Sequence, residues 1–133
     1  IGILFQDDLL FPHLSVGENI AFGLRAELRG RAARRARIEA ALEDAELPGF
    51  ADRDPATLSG GQRARVALMR TLLAEPRALL LDEAFGKLDA ALRERIRRFV
   101  FDRAARLGLP VLMVTHDEAD AASAGGEVLR LAD

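Results

Sequence analysis

Apolar positions along this chain fall into two patterns, short unbroken runs and stripes that recur every three to four residues. The first run, Gly2-Ile3-Leu4-Phe5-Gln6, predicts a short buried strand ending at Gln6. Residues 7–15 read as loop, with Pro12 as a breaker. Ser15, with Glu18 three residues on, has the capping-box pattern and predicts a helix through about Arg25. Over 31–47 the positions Ala33, Ile38, Ala41, Leu42 and Ala45 fall at helical spacing. A turn-rich segment, 48–57, separates this helix from one opened by Ser59 and running to about Ala74, with Val66, Met69, Leu72 and Leu73 on one face. The run "RALLLDE" (77–83) is apolar until it ends in two acids, and predicts a strand buried on both faces, as in a parallel sheet. Leu88, Leu92, Ile96, Phe99 and Leu107 form the stripe of a helix over 89–107, closed by Gly108. "PVLMVTHD" (110–117) predicts a second buried strand, followed by a short helix over 117–123 and a last strand over 127–131.

A strand, an all-helical stretch and then β-α-β-α-β call for an α/β layer fold with a parallel sheet and an inserted helical subdomain. Residues 1–14 and 75–133 fall to the α/β core and 15–74 to the helical subdomain. Composition narrows the function classes. The 133 residues suffice for one domain with a core. Half are apolar and 30% are charged, ordinary for a globular chain. The net charge of −2 shows no overall bias toward nucleic acid. Without cysteine there are no disulfides and no thiolate metal sites. No apolar run approaches the roughly 20 residues of a membrane span, and no signal-peptide pattern is present, so any membrane link is expected through a partner. The chain begins at Ile1, inside an apolar run, which leads us to expect further sequence upstream.

Four places carry candidate chemistry. Asp82 and Glu83 end a strand of the kind whose carboxyl end holds ligands in parallel sheets. One acid there can hold Mg²⁺ and the other can orient an attacking water. His116 ends the other buried strand and can donate a hydrogen bond to developing phosphate charge. Gln6, at the end of the first strand, can point its amide at a metal or a water. Leu58-Ser59-Gly60-Gly61-Gln62 opens a helix, whose unpaired N–H groups attract phosphate while the glycines permit close approach. Each place also has a plain structural reading: a solvated strand end, a surface histidine near a cap, or a capped helix after a loop.

Taken together, the segments resemble a known family. "LSGGQRARVALMRTLLAEPRALLLDEAFGKLD" (58–89) is similar, nearly end to end, to the signature helix, Walker B strand and D-loop of ABC-type ATPases. "ILFQDDLLFPHLSVGENIAFGL" (3–24) resembles the Q-loop and following segment of importer ATPase subunits, and "VLMVTHDEADA" (111–121) their switch-histidine segment. The resemblance implies a partial P-loop-NTPase fold, ATP and Mg²⁺ as ligands, and a role for each position. Gln6 resembles the Q-loop glutamine that senses Mg²⁺ and the γ-phosphate, Asp82 the Walker B aspartate supporting Mg²⁺, and Glu83 the catalytic glutamate. His116 resembles the switch histidine and Asp89 the D-loop aspartate that reaches across a dimer. Ser59, Gly60, Gly61 and Gln62 resemble the signature that closes on ATP held by the opposite subunit. Two positions depart from the family pattern: Ala84 stands where a proline is usual, and the D-loop reads Gly86-Lys87-Leu88-Asp89.

The chain contains no G-x-x-x-x-G-K-[ST] loop, and Lys87, its only lysine, is not set in one. The resemblance therefore covers the C-terminal two-thirds of a nucleotide-binding domain, and the chain alone is expected to bind ATP poorly and hydrolyse none. The function implied is that of the ATP-hydrolysing subunit of a bacterial importer. Such a subunit works as a homodimer or pseudo-dimer, peripheral on the cytoplasmic face of the inner membrane. Its partners are an integral permease and, indirectly, a solute-binding protein. Residues 78–110 most resemble importers of small cofactors, polyamines and inorganic anions. Two alternatives stand beside this reading. A soluble ABC ATPase of DNA repair or translation would draw on the arginines of 29–37, which read otherwise as a solvated helix face balanced by Glu39, Glu43, Asp44 and Glu46. A non-catalytic remnant is the other, and no nucleic-acid partner is expected in the leading reading.

Overall fold

In the computed structural model, which describes residues 2–5 (backbone alone), 10–24 and 30–130, three strands lie parallel. They are β1 (Gly2–Phe5), β2 (Leu79–Asp82) and β3 (Val111–Val114), in the spatial order β1-β2-β3. The register aligns Phe5 with Asp82 and Asp82 with Val114, so all three strands end at one level. The helices are α1 (Val16–Ala21), α2 (Arg31–Asp44), α3 (Gly60–Leu73), α4 (Ala90–Leu107) and α5 (Glu118–Ala124). The α/β fold with a parallel sheet and a helical insertion between β1 and β2 is thus as expected. Gln6 lies outside the described residues.

Local caps set most of the boundaries. Ser15 Oγ accepts from Glu18 N–H at 3.1 Å while Ser15 N–H donates to Glu18 Oε1 at 2.9 Å, a complete capping box. Gly108 closes α4 at φ 65°, where a side chain would be strained. Helix α2 stops at Asp44, short of the expected Leu47, because the chain turns through a Schellman motif. Leu47 N–H donates to Leu42 C=O (2.7 Å) and Glu46 N–H to Glu43 C=O (2.9 Å), with Glu46 left-handed at φ 60°. Helix α1 ends at Ala21, four residues before its expected end near Arg25, which lies outside the described residues.

One apolar cluster runs from the helices to the sheet. It includes Val16 and Ile20 of α1, Ile38 and Leu42 of α2, Val66 and Met69 of α3, Leu79 and Leu81 of β2, and Ile96 and Val100 of α4. Phe85, fully buried just after β2, meets Phe101 of α4 edge-on with ring centroids 6.2 Å apart.

Two expectations about the sheet are corrected. Strand β3 is not buried on both faces: Val111 and Met113 are half-buried, whereas Leu112 is 66% and Val114 52% exposed. Among the described residues it is an edge strand, and on the Leu112 face no described element covers it. Of residues 127–131, expected as a last strand, 127–130 form none and 131 lies outside the described residues; Val128 and Leu129 are exposed. A segment this short becomes a strand only where a neighbour pairs its backbone, and no described neighbour does.

Candidate functional site

The site gathers at the carboxyl ends of β2 and β3. Asp82 is the last residue of β2 and half-buried. The chain then turns sharply, with Glu83 at φ 52°. A non-glycine residue there is unfavourable and persists only where its surroundings hold it. Here Glu83 N–H donates to Val114 C=O at 2.8 Å, so the end of β3 fixes the turn that aims the side chain. That side chain is 19% exposed, and among the described residues its Oε1 is buried without a hydrogen bond. His116, two residues beyond β3, brings Nε2 to 3.5 Å from this oxygen, in ion-pair range but not hydrogen-bonded. The imidazole itself is 97% exposed. A buried carboxylate oxygen with no donor is costly unless a ligand or water supplies one, so this pair fits a site that binds a polar group. No cluster of three or more His, Cys, Asp or Glu side chains that could hold a metal occurs among the described residues. A single carboxylate such as Asp82 suits Mg²⁺, which usually takes one or two carboxylates and the rest of its shell from waters and phosphate oxygens.

The signature segment opens α3. Ser59 Oγ accepts from Gln62 N–H at 3.2 Å, and Ser59 N–H donates to Gln62 Oε1 at 2.9 Å. The hydroxyl is therefore engaged as a cap in this chain. Gly61 packs on the segment after Glu83: a Cβ there would stand 2.9 Å from the Lys87 carbonyl oxygen. A Cβ on Gly60 would meet only the Lys87 side chain, at 3.6 Å. Contact within the chain thus demands the second glycine, independent of any ligand. Asp89 caps α4, its Oδ1 accepting from Leu92 N–H at 3.0 Å. Ala84 is buried and Lys87 exposed. The structure brings Asp82, Glu83 and His116 to one edge of the sheet and sets Gly61 against 87–88. Gln6 follows the aligned end of β1 in sequence, outside the described residues.

The sequence reading missed a cluster beside His116. Asp120, 1% exposed, receives Arg93 through Nε (3.0 Å to Oδ1) and through Nη2, Arg97 through Nη1 (2.6 Å), and the Thr115 hydroxyl (3.2 Å). The only local signal was an aspartate three residues after the cap residue Asp117, with arginines four apart on α4.

Comparison with known proteins agrees with this geometry. The sequence profile of the family described as "ABC transporter" matches residues 1–86. The ABC transporter ATP-binding protein YnjD of Escherichia coli (strain K12) is 58% identical over 120 residues, covering 90% of this chain and 55% of that protein. The Fe(3+) ions import ATP-binding protein FbpC 1 of Haemophilus influenzae is 43% identical over 129 residues, covering 97% of this chain and 39% of that protein. A solved dimeric post-hydrolysis state of the ATP-binding cassette MJ0796, bound to ADP and Pi, superimposes with a TM-score of 0.81 at 35% identity, over 92% of this chain and 54% of that one. The chain thus spans about half the length, or less, of the relatives it matches. With its parallel sheet, its acidic turn after β2 and its helical insertion, this chain belongs to the ABC transporter family.

Proposed function

We propose that this chain is the signature-bearing part of the ATP-hydrolysing subunit of an ABC importer, with 1–14 and 75–133 as α/β core and 15–74 as helical subdomain. The observation that carries the reading is the strained turn at Glu83, which buries a carboxylate oxygen, unpartnered among the described residues, 3.5 Å from His116 at the ends of two parallel strands. The import direction draws support from relatives named for import of Fe(3+) ions and of sulfate/thiosulfate.

In this reading Glu83 accepts a hydrogen bond from the attacking water and orients it. His116 donates from Nε2 to the oxygens of the departing γ-phosphoryl group. Asp82, with Gln6, would hold Mg²⁺. When bound, that ion neutralises charge on the β- and γ-phosphates. Ser59, Gly60, Gly61 and Gln62 present the N-terminus of α3 to ATP held by a second ATPase subunit, with Asp89 at the same junction. The assembly is a dimer of such subunits on a membrane permease at the cytoplasmic face of the inner membrane, fed by a solute-binding protein. The DNA-repair or translation alternative rests on the arginines of 29–37, of which Arg35 is occupied by Glu39 at 2.9 Å and Asp52 at 3.3 Å.

The test uses a cassette of the relatives' full length that carries this sequence. Glu83→Gln lowers its ATP hydrolysis by about 100-fold or more while nucleotide binding persists. Unchanged hydrolysis in that variant overturns the reading. The 133-residue chain, which holds no G-x-x-x-x-G-K-[ST] loop, is expected to show no hydrolysis by itself.

A further inference from the structure

His116 is almost wholly exposed, so no packing around the ring places it. Its place is set by its neighbours in the chain, and both are tied into the cluster behind it. The Thr115 hydroxyl accepts from Asp117 N–H at 3.0 Å and donates to Asp120 at 3.2 Å. Asp117 Oδ1 accepts from Asp120 N–H at 2.9 Å, and its Oδ2 lies 3.4 Å from Arg93. Every strand of this network reaches Asp120, which is held in turn by two guanidiniums from α4. We propose that Asp120, with Arg93 and Arg97, is the positioning device for His116, fixing the 115–117 backbone on α4 so that the imidazole faces Glu83. The inference rests on the reading of Glu83 and His116 given above.

The energetics favour a specific role over simple adhesion. A buried carboxylate paired with arginines is seldom worth more than an apolar contact of the same size, yet breaking such a pair is strongly destabilising. Among the described residues Arg97 Nε is buried without a partner, a further cost of the cluster. What the cluster supplies that apolar packing would not is direction: charge-assisted bonds fix the carboxylate, and the carboxylate fixes the Thr115 hydroxyl.

The experiment measures kcat and KM for ATP in the same full-length cassette. Asp120→Asn and the milder Thr115→Val are each made alone and in the His116→Ala background, and thermal melting confirms that each variant is folded. Asp120→Asn is expected to lower kcat about 10- to 100-fold with little change in KM, as misplacement of a positioned group does. In the His116→Ala background it is expected to have no further effect, the signature of action through one residue. If Asp120→Asn does not fold, Thr115→Val decides by the same comparison. Equal losses in both backgrounds, or an unchanged kcat in folded variants while His116→Ala is impaired, overturn the positioning role and leave the proposed function standing. If neither Glu83→Gln nor His116→Ala lowers kcat, the site reading itself fails and this inference falls with it.

Discussion

At the scale of single residues, two of the three buried polar side chains among the described residues, Asn19 and Asp120, each gather several hydrogen bonds. Asn19, fully buried in α1, accepts from Phe11 N–H at 2.7 Å and donates to the carbonyls of Phe11, Leu14 and Ser15. It closes the loop before α1 onto the helix. Asn19→Ala leaves that part-buried backbone without its partner and is expected to cost about 1–3 kcal/mol, read as a shift in denaturant midpoint at constant slope. Asp120 makes a prediction in pH. Burial alone would push its carboxyl up, but the hydrogen bonds from Arg93 and Arg97 outweigh it and hold the group below its ordinary value of 3.8. A carboxylate depressed in the folded state contributes stability above its unfolded value, and the contribution is lost as pH falls from there through the lower folded value. Melting temperature should therefore drop on acidification below about pH 3.8. Asp120→Asn, already less stable at neutral pH, should lose less over that window. An equal acid loss in the variant would show that other carboxylates control it.

At the scale of elements, the two signature glycines separate. Gly61→Ala drives a Cβ to 2.9 Å from the Lys87 carbonyl, a backbone atom that cannot move without shifting the turn between Glu83 and α4. A destabilisation of about 1–3 kcal/mol is expected by thermal or chemical unfolding. Gly60→Ala meets only a flexible lysine chain at 3.6 Å and should leave the melting temperature nearly unchanged. Similar losses in both variants would refute the packing argument. Helix caps, which act within a few residues, were the most legible features of the chain: Ser15 with Glu18, Ser59 at α3 and Gly108 at α4 all stand where the pattern put them. The end of α2 was not legible, since a glutamate occupies the left-handed position where glycine usually signals the stop. Its carboxylate is held by Arg95 of α4 in a two-pronged ion pair at 2.8 and 3.0 Å, a contact 49 residues distant along the chain.

At the scale of the whole molecule, the exposed apolar face of β3 is where self-association is expected. Leu112 and Val114 lie on one face of an edge strand, with Val128 and Leu129 also exposed nearby in sequence. An apolar edge strand offers a template for pairing with another chain. The 133-residue chain should self-associate as concentration rises, and Leu112→Thr with Val114→Thr should raise the concentration at which light scattering first increases. No change in that threshold would place the association elsewhere.

The sequence by itself determined the order and type of the elements from β1 to α5, the parallel sheet with its helical insertion, and the identity of the acids, histidine and signature that carry the family likeness. Those features follow from periodicity, caps and short motifs, which are local. Tertiary structure alone decided that Glu83 turns through a left-handed conformation held by the Val114 carbonyl, that Gly61 is pressed by Lys87, and that β3 is an edge. It also decided that Arg93 and Arg97, 27 and 23 residues before Asp120, converge on that carboxylate behind His116. Each of these is a contact between segments distant in sequence, and no local pattern encodes which distant backbone or charge a side chain will meet.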